Sequence, residues 1–224
     1  MRYMFALVLG FGGLAILLWL GFWQLDRLTR KAEKLAEIDA RMQASPLAVP
    51  DAPAQAEHNY LQVFATGSLT GEEIHVLTSK KNAGPGFLVI SKLVLGEGRK
   101  VLVDLGFVPE TRKNEKRHQG AVELTGSLFW PNEMDPLFTP DPDLVGNRWF
   151  ARDLPAMAAI LETEPVLIVA SAVQPESDNM PTPVRVAANI PNNHLEYAVT
   201  WFSMAACWLA MTVCLIWRIK RRMT

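Results

Sequence analysis

The chain has two cysteines in 224 residues, and neither lies in the long central region that reads as a soluble domain. Cys207 and Cys214 share one apolar run, seven residues apart. On a helix that is about 10 Å, too far for an internal disulfide. The central region therefore has no disulfide framework and no thiolate metal site. It also lacks a G-x-S-x-G, a P-loop, a G-x-G-x-x-G and any two-histidine metal spacing. With no nucleophile–base pair or metal triad in view, the chain does not read as an enzyme. An excess of charge of one sign is missing too: 22 Lys and Arg against 23 Asp and Glu leave a net charge of −1. Nucleic acid requires a basic stripe or tail, so no such partner is expected.

Two stretches contain no charge, Asn or Gln: Met4 to Trp23 and Ala198 to Trp217, 20 residues each. At ~1.5 Å per residue, each is long enough to cross a hydrocarbon core about 30 Å thick. The first has no small-x-small cleavage site, and bulky Phe22-Trp23-Gln24-Leu25 fills its exit, so it reads as a retained anchor. The expected fold is a membrane hairpin of two transmembrane helices carrying a β-rich (α+β) extramembrane domain, with a curved or barrel-like sheet. The expected segments are a first transmembrane helix over 1–24, an amphipathic stalk over 25–45, the β-rich domain over 46–190, a second transmembrane helix over 191–218 and a basic tail over 219–224. Membrane lipid is one partner. The dense block Arg218-Ile219-Lys220-Arg221-Arg222 is the strongest retention signal. It places both termini in the cytoplasm and the domain in the periplasm. No Arg/Ser-rich transit segment precedes the first span, which suits a bacterial inner membrane.

Leu25, Leu28, Ala32, Leu35 and Ile38 recur at three- and four-residue steps among charges, continuing the first span as an amphipathic helix up to Ser45-Pro46. Ala48 to His58 reads as a linker. From Asn59 the period changes to two. Tyr60–Thr66 and Glu72–Leu77 read as short strands joined by a turn at Gly67–Gly71. Phe87–Leu95 and Lys100–Val108 form a hairpin around Gly96-Glu97-Gly98, and Pro109 stops it. Ala121–Trp130 is a further strand, followed by a Pro-rich loop from Pro131 to Asn147. Asp153 caps a helix from Leu154 to Glu162 that buries Leu154, Met157, Ala158 and Leu161. Pro165 then introduces an apolar strand, Val166–Val173.

Most histidines offer little chemistry. His58 and His118 fall in loops, and His75 alternates with Ile74 and Val76, which places it on the solvated side of its strand. Asp104 interrupts an apolar strand, pointing outward or pairing with Arg99 or another base. The second span differs. His194, Tyr197, Trp201, Met204, Trp208 and Met211 recur at three- and four-residue steps and can share a helix face. An ionisable ring at a span mouth is a functional candidate. Neutral imidazole ligates haem iron, and an aromatic wall suits a planar macrocycle. Interfacial anchoring alone also accounts for these residue types. Met204, Cys207, Met211 and Cys214 make a soft-ligand stripe that would suit Cu(I), or simple packing.

The runs Gly21-Phe22-Trp23-Gln24-Leu25-Asp26-Arg27-Leu28 and Asn192-Asn193-His194-Leu195-Glu196-Tyr197-Ala198-Val199-Thr200-Trp201-Phe202 resemble the surfeit locus protein one family, two-span assembly factors of haem-copper terminal oxidases. Val101-Leu102-Val103-Asp104-Leu105-Gly106-Phe107-Val108-Pro109, Gly126-Ser127-Leu128 and Asn147-Arg148-Trp149-Phe150-Ala151-Arg152-Asp153 fit as well. The chain departs from the family pattern at Asp104-Leu105-Gly106-Phe107, where Asn-Arg-Gly-Trp is more usual. The resemblance implies a role in maturing cytochrome c oxidase or a related quinol oxidase, at the installation of haem a in the catalytic subunit. It implies that subunit as a partner, with haem a synthase as a further one. His194 matches the family's histidine at the second span, and Trp201 an aromatic linked to the haem. On this reading His194 ligates the iron, Tyr197 and Trp201 pack on the ring, Trp23 closes the other side, and Arg27 or Arg185 pairs with propionates. A scaffold that binds oxidase intermediates without haem, and copper delivery through the Met/Cys stripe, are the alternatives.

Overall fold

The computed structural model describes residues 2–81, 83–184, 186 and 193–221. The chain folds as two compact units, Met1–Glu37 with Ala188–Thr224, and Ile38–Ala187. The first unit contains the apolar helices. Helix α1 (Arg2–Gln43) is one continuous 42-residue element, with the span and the amphipathic pattern running on without a break. At the other end of the sequence lies a second long helix (His194–Arg221). Both are long and apolar enough to cross a membrane, and only 11% of each apolar window is buried within the protein. The core helix of a soluble protein would instead bury most of it.

The second unit is a six-stranded sheet. Its elements are β1 (Leu47–Ala48), α2 (Gln55–His58), β2 (Gln62–Lys80), β3 (Gly84–Leu95), β4 (Lys100–Pro109), β5 (Gly120–Phe129), α3 (Leu154–Leu161) and β6 (Glu164–Gln174); the C-terminal helix is α4. The order is β1-β2-β3-β4-β6-β5, and β2 also pairs with β5, so the sheet curls into a ring. All neighbours are antiparallel except β4 with β6 and the short β1 with β2.

Strand β2 closes the ring. Its first half, Gln62–Leu69, pairs with β5, and the stretch from Gly67 to Lys80 pairs with β3. The expected turn at Gly67–Gly71 is absent. A bulge lies between Leu69 and Glu73, and Gly71 takes the positive φ of +83° there. A bulge adds residues to one strand and sharpens its twist, so the chain bends without reversing. The linker over 48–58 holds the end of β1 and the single turn of α2.

Two apolar clusters explain why several strands read as unbroken hydrophobic runs. Val63, Val89, Leu93, Val101, Val103, Leu128 and Ile168 pack in one. Ile74, Ile90, Leu102 and Leu167 pack in the other, with Leu154, Met157, Ala158 and Leu161 of α3. Adjacent residues of β4 thus go to different clusters, and both faces of the strand are covered. Helix α3 begins as expected: Asp153 accepts a hydrogen bond from Ala156 N at 3.2 Å and satisfies a first-turn amide. The Pro-rich loop holds ordered turns. Leu137 N donates to Asp135 Oδ1 at 2.9 Å, and Asp143 and Arg148 exchange backbone hydrogen bonds at 2.9 Å.

His75 does not face solvent. It is buried, with its ring 5.9 Å from that of Phe87, and its Nε2 donates to Glu73 Oε1 at 2.9 Å. Ile74 and Val76 point into the α3 cluster while the opposite face of β2 is covered as well. Alternation therefore did not mark a wet side here.

Candidate functional site

Helices α1 and α4 pack through small residues. A Cβ on Gly10 would lie 2.2 Å from Thr212 Cγ2, one on Gly13 2.6 Å from the Trp208 ring, and one on Gly21 2.7 Å from Phe202. On α4 the buried positions are Ala198, Ala205 and Thr212, seven residues apart. Residues rising along α1 meet residues falling along α4, so the pair is antiparallel. Trp208 Nε1 donates to Gly10 O at 2.9 Å, and Phe22 meets Phe202 edge-on at 5.3 Å. Close backbone approach through small residues is how helices associate where lipid removes the hydrophobic drive.

One turn beyond Gly21 the same face of α1 carries Gln24, and two turns before Phe202 the same face of α4 carries His194. They meet: His194 Nδ1 lies 2.8 Å from Gln24 Oε1. The imidazole is half-buried, and its Nε2 has no partner among the described residues. Gln24 escaped the sequence reading, although it is the first amide after the uncharged run and three residues past Gly21.

The other expected site residues are distributed around this pair. Trp201 is half-buried, whereas Tyr197 is 56% exposed. Tyr197, Met204 and Met211 each lie one residue from the buried line Ala198–Ala205–Thr212, about 100° round the helix, so they look outward. Trp208 packs on α1 instead of continuing an aromatic wall. Trp23 is 40% exposed, with the Arg27 guanidinium 5.4 Å from its ring centre. Arg185 lies outside the described residues, as does Asn192. Cys207 and Cys214 are free and exposed. No group of three metal-ligating side chains occurs among the described residues.

The β unit holds a charge cluster around the buried Asp104. Asp104 does not point outward, and its partner is not Arg99, which pairs with Glu164. It is fully buried in a bulge where β4 pairs with β3, accepting Gly106 N at 2.9 Å and Arg152 Nη1 at 3.1 Å. Arg152 also holds Glu133 and stacks over Phe129 at 5.1 Å. A cavity of about 480 Å³ opens here, walled by Leu77, Leu88, Phe107, Phe129 and Phe150. Burial pushes Asp104 up to about 6 against the pull of Arg152, whereas Arg152 outweighs burial at Glu133 and lowers it.

Since the folded value of Asp104 exceeds the ordinary 3.8, the folded protein holds this proton more tightly than the unfolded chain. This contribution to stability is complete below pH 3.8 and lost as pH rises through about 6. The displacement corresponds to roughly 3 kcal/mol. Asp104→Asn keeps one acceptor oxygen, for Gly106 N, gives up the one that Arg152 used, and has no proton to titrate. In thermal unfolding between pH 4 and 7, wild type is expected to fall relative to this variant; parallel curves would count against it.

The SURF1 family model matches residues 12–206. A SURF1-like protein of Monosiga brevicollis is 34% identical over 211 residues, covering 87% of this chain and 81% of its own. A SURF1-like protein of Rickettsia felis is 30% identical over 221 residues, covering 92% of each. Surfeit locus protein 1 of Homo sapiens is 29% identical over 210 residues, covering 84% of this chain and 69% of its own. With the family model covering most of its length, and relatives at 34% and 30% identity covering 87% and 92% of it, this chain belongs to the SURF1 family.

Proposed function

We propose that this chain is an assembly factor for a haem-copper terminal oxidase that binds haem a as cargo and assists its transfer to the catalytic subunit. On this reading it works from a bacterial cytoplasmic membrane, with the β unit on the periplasmic side. One observation supports it most: His194 opens α4 with Nδ1 held by Gln24 and with Nε2 unengaged among the described residues. An imidazole whose far nitrogen is hydrogen-bonded is the usual form of an iron ligand. Trp23, Tyr197 and Trp201 retain exposed ring area for a flat apolar body, and Arg27 supplies a guanidinium for a carboxylate. A single protein ligand suits a cargo that must leave.

The test is an optical spectrum of the detergent-purified protein from cells that make haem a. Wild type is expected to show a Soret band that His194→Ala loses while remaining folded. A colourless wild-type protein that still restores oxidase assembly would make the chain a scaffold. Bound copper lost on Cys207→Ser and Cys214→Ser would point to metal delivery instead.

A further inference from the structure

We propose that Gln24 fixes the tautomer of His194, making it the positioning residue that keeps Nε2 available as an electron-pair donor. The second half of this inference, the consequence for haem, rests on the function proposed above; the first half does not.

A carboxamide oxygen can only accept. With Gln24 Oε1 at 2.8 Å from His194 Nδ1, the proton of a neutral ring must sit on Nδ1, and Nε2 carries the lone pair. Nothing in the ring's own helix enforces this choice. It comes from α1, and the two partners are 170 residues apart in sequence. Their meeting depends on the close packing one turn below, where Gly21 lets Phe202 approach. The ring is also half-buried, so water competes less for Nδ1 than at an open surface.

The chemistry that follows is specific. An acceptor on the far nitrogen orients the ring and raises its basicity, and loss of such a partner typically weakens metal binding about 10–100-fold. An amide is a milder acceptor than a carboxylate. It leaves the imidazole a moderate donor, which suits a ligand that holds iron and then gives it up.

The experiment starts with the full-length protein without haem, labelled with nitrogen-15 at histidine, in detergent micelles at about pH 8.5, where an ordinary imidazole is neutral. His194→Ala identifies the His194 signals among the four histidines. Wild type is expected to show a protonated Nδ1 and a bare Nε2. Gln24→Leu is expected to release the proton to Nε2 in a substantial fraction of molecules, and Gln24→Glu, which keeps an acceptor, to restore the wild-type pattern. A wild type already protonated at Nε2, or a pattern unchanged in Gln24→Leu, overturns the assignment.

The second arm titrates haem into the three proteins and records the iron–histidine stretch by resonance Raman. Gln24→Leu should bind about 10–100-fold more weakly, and Gln24→Glu should retain binding with the stretch moved to higher frequency. Equal affinity and an unmoved stretch in all three overturn the positioning role. The predicted tautomer in a wild type that takes up no haem supports the role of Gln24 and sinks only the haem function. Circular dichroism of each variant separates a lost hydrogen bond from a lost hairpin.

Discussion

Arg152→Leu is expected to destabilise the β unit by about 3–5 kcal/mol, because it leaves Asp104 buried without a counter-charge. Asp104 keeps one hydrogen bond, from Gly106 N, in an environment that already raises its proton affinity. The carboxyl group is then driven to its neutral form at pH 7, and Glu133 also loses its partner. For a unit of this size the loss corresponds to a fall of roughly 10 °C in the melting temperature. The double variant Asp104→Leu with Arg152→Leu should recover most of it, since it removes the buried carboxylate together with its partner and leaves unpaired only Glu133, which reaches solvent. Thermal unfolding followed by circular dichroism measures both. If the single variant costs less than about 1 kcal/mol, Arg152 is not the counter-charge that holds buried Asp104.

Gly106→Val should cost at least about 3 kcal/mol, from two effects at one position. Gly106 has φ = +115°, a region that L side chains rarely adopt, and a Cβ there would lie 2.2 Å from Thr182 O. That close approach supports the exchange of hydrogen bonds between Phe107 and Thr182, at 2.8 and 2.9 Å. The variant is expected both to melt earlier and to become sensitive to protease around Thr182. A variant that melts early while Thr182 stays protected would show backbone strain alone.

Much of this architecture was legible because its causes are local. Asp153 caps α3 from one residue before it, Gly96-Glu97-Gly98 turns the β3–β4 hairpin, and the two uncharged runs need only their length. The bend in β2 was missed because Gly67 and Gly71 look like turn residues. Only the pairing of β2 with both β3 and β5 shows that the chain stays in the ladder through them. His75 was misplaced for a related reason, and Asp104, read as facing outward or paired with a base, turns out to be the paired one. A polar residue among apolar neighbours suggests a wet face, but here the second face is covered by elements remote in sequence. Arg152 reaches Asp104 from 48 residues away, and Gln24 reaches His194 from 170. His194 stood out as a candidate through its place at the start of the second apolar run, whereas Gln24, the residue it meets, had no periodic signature.

Closure of the sheet limits how the β unit meets other proteins. Each of the five long strands has a neighbour on either side, which leaves little open backbone for an incoming chain to zip onto. What the unit leaves open is its side chains and the loops that interrupt the ring. Leu137 and Phe138, 86% and 81% exposed on a turn braced by Asp135, lie outside that ladder, with their side chains open to solvent.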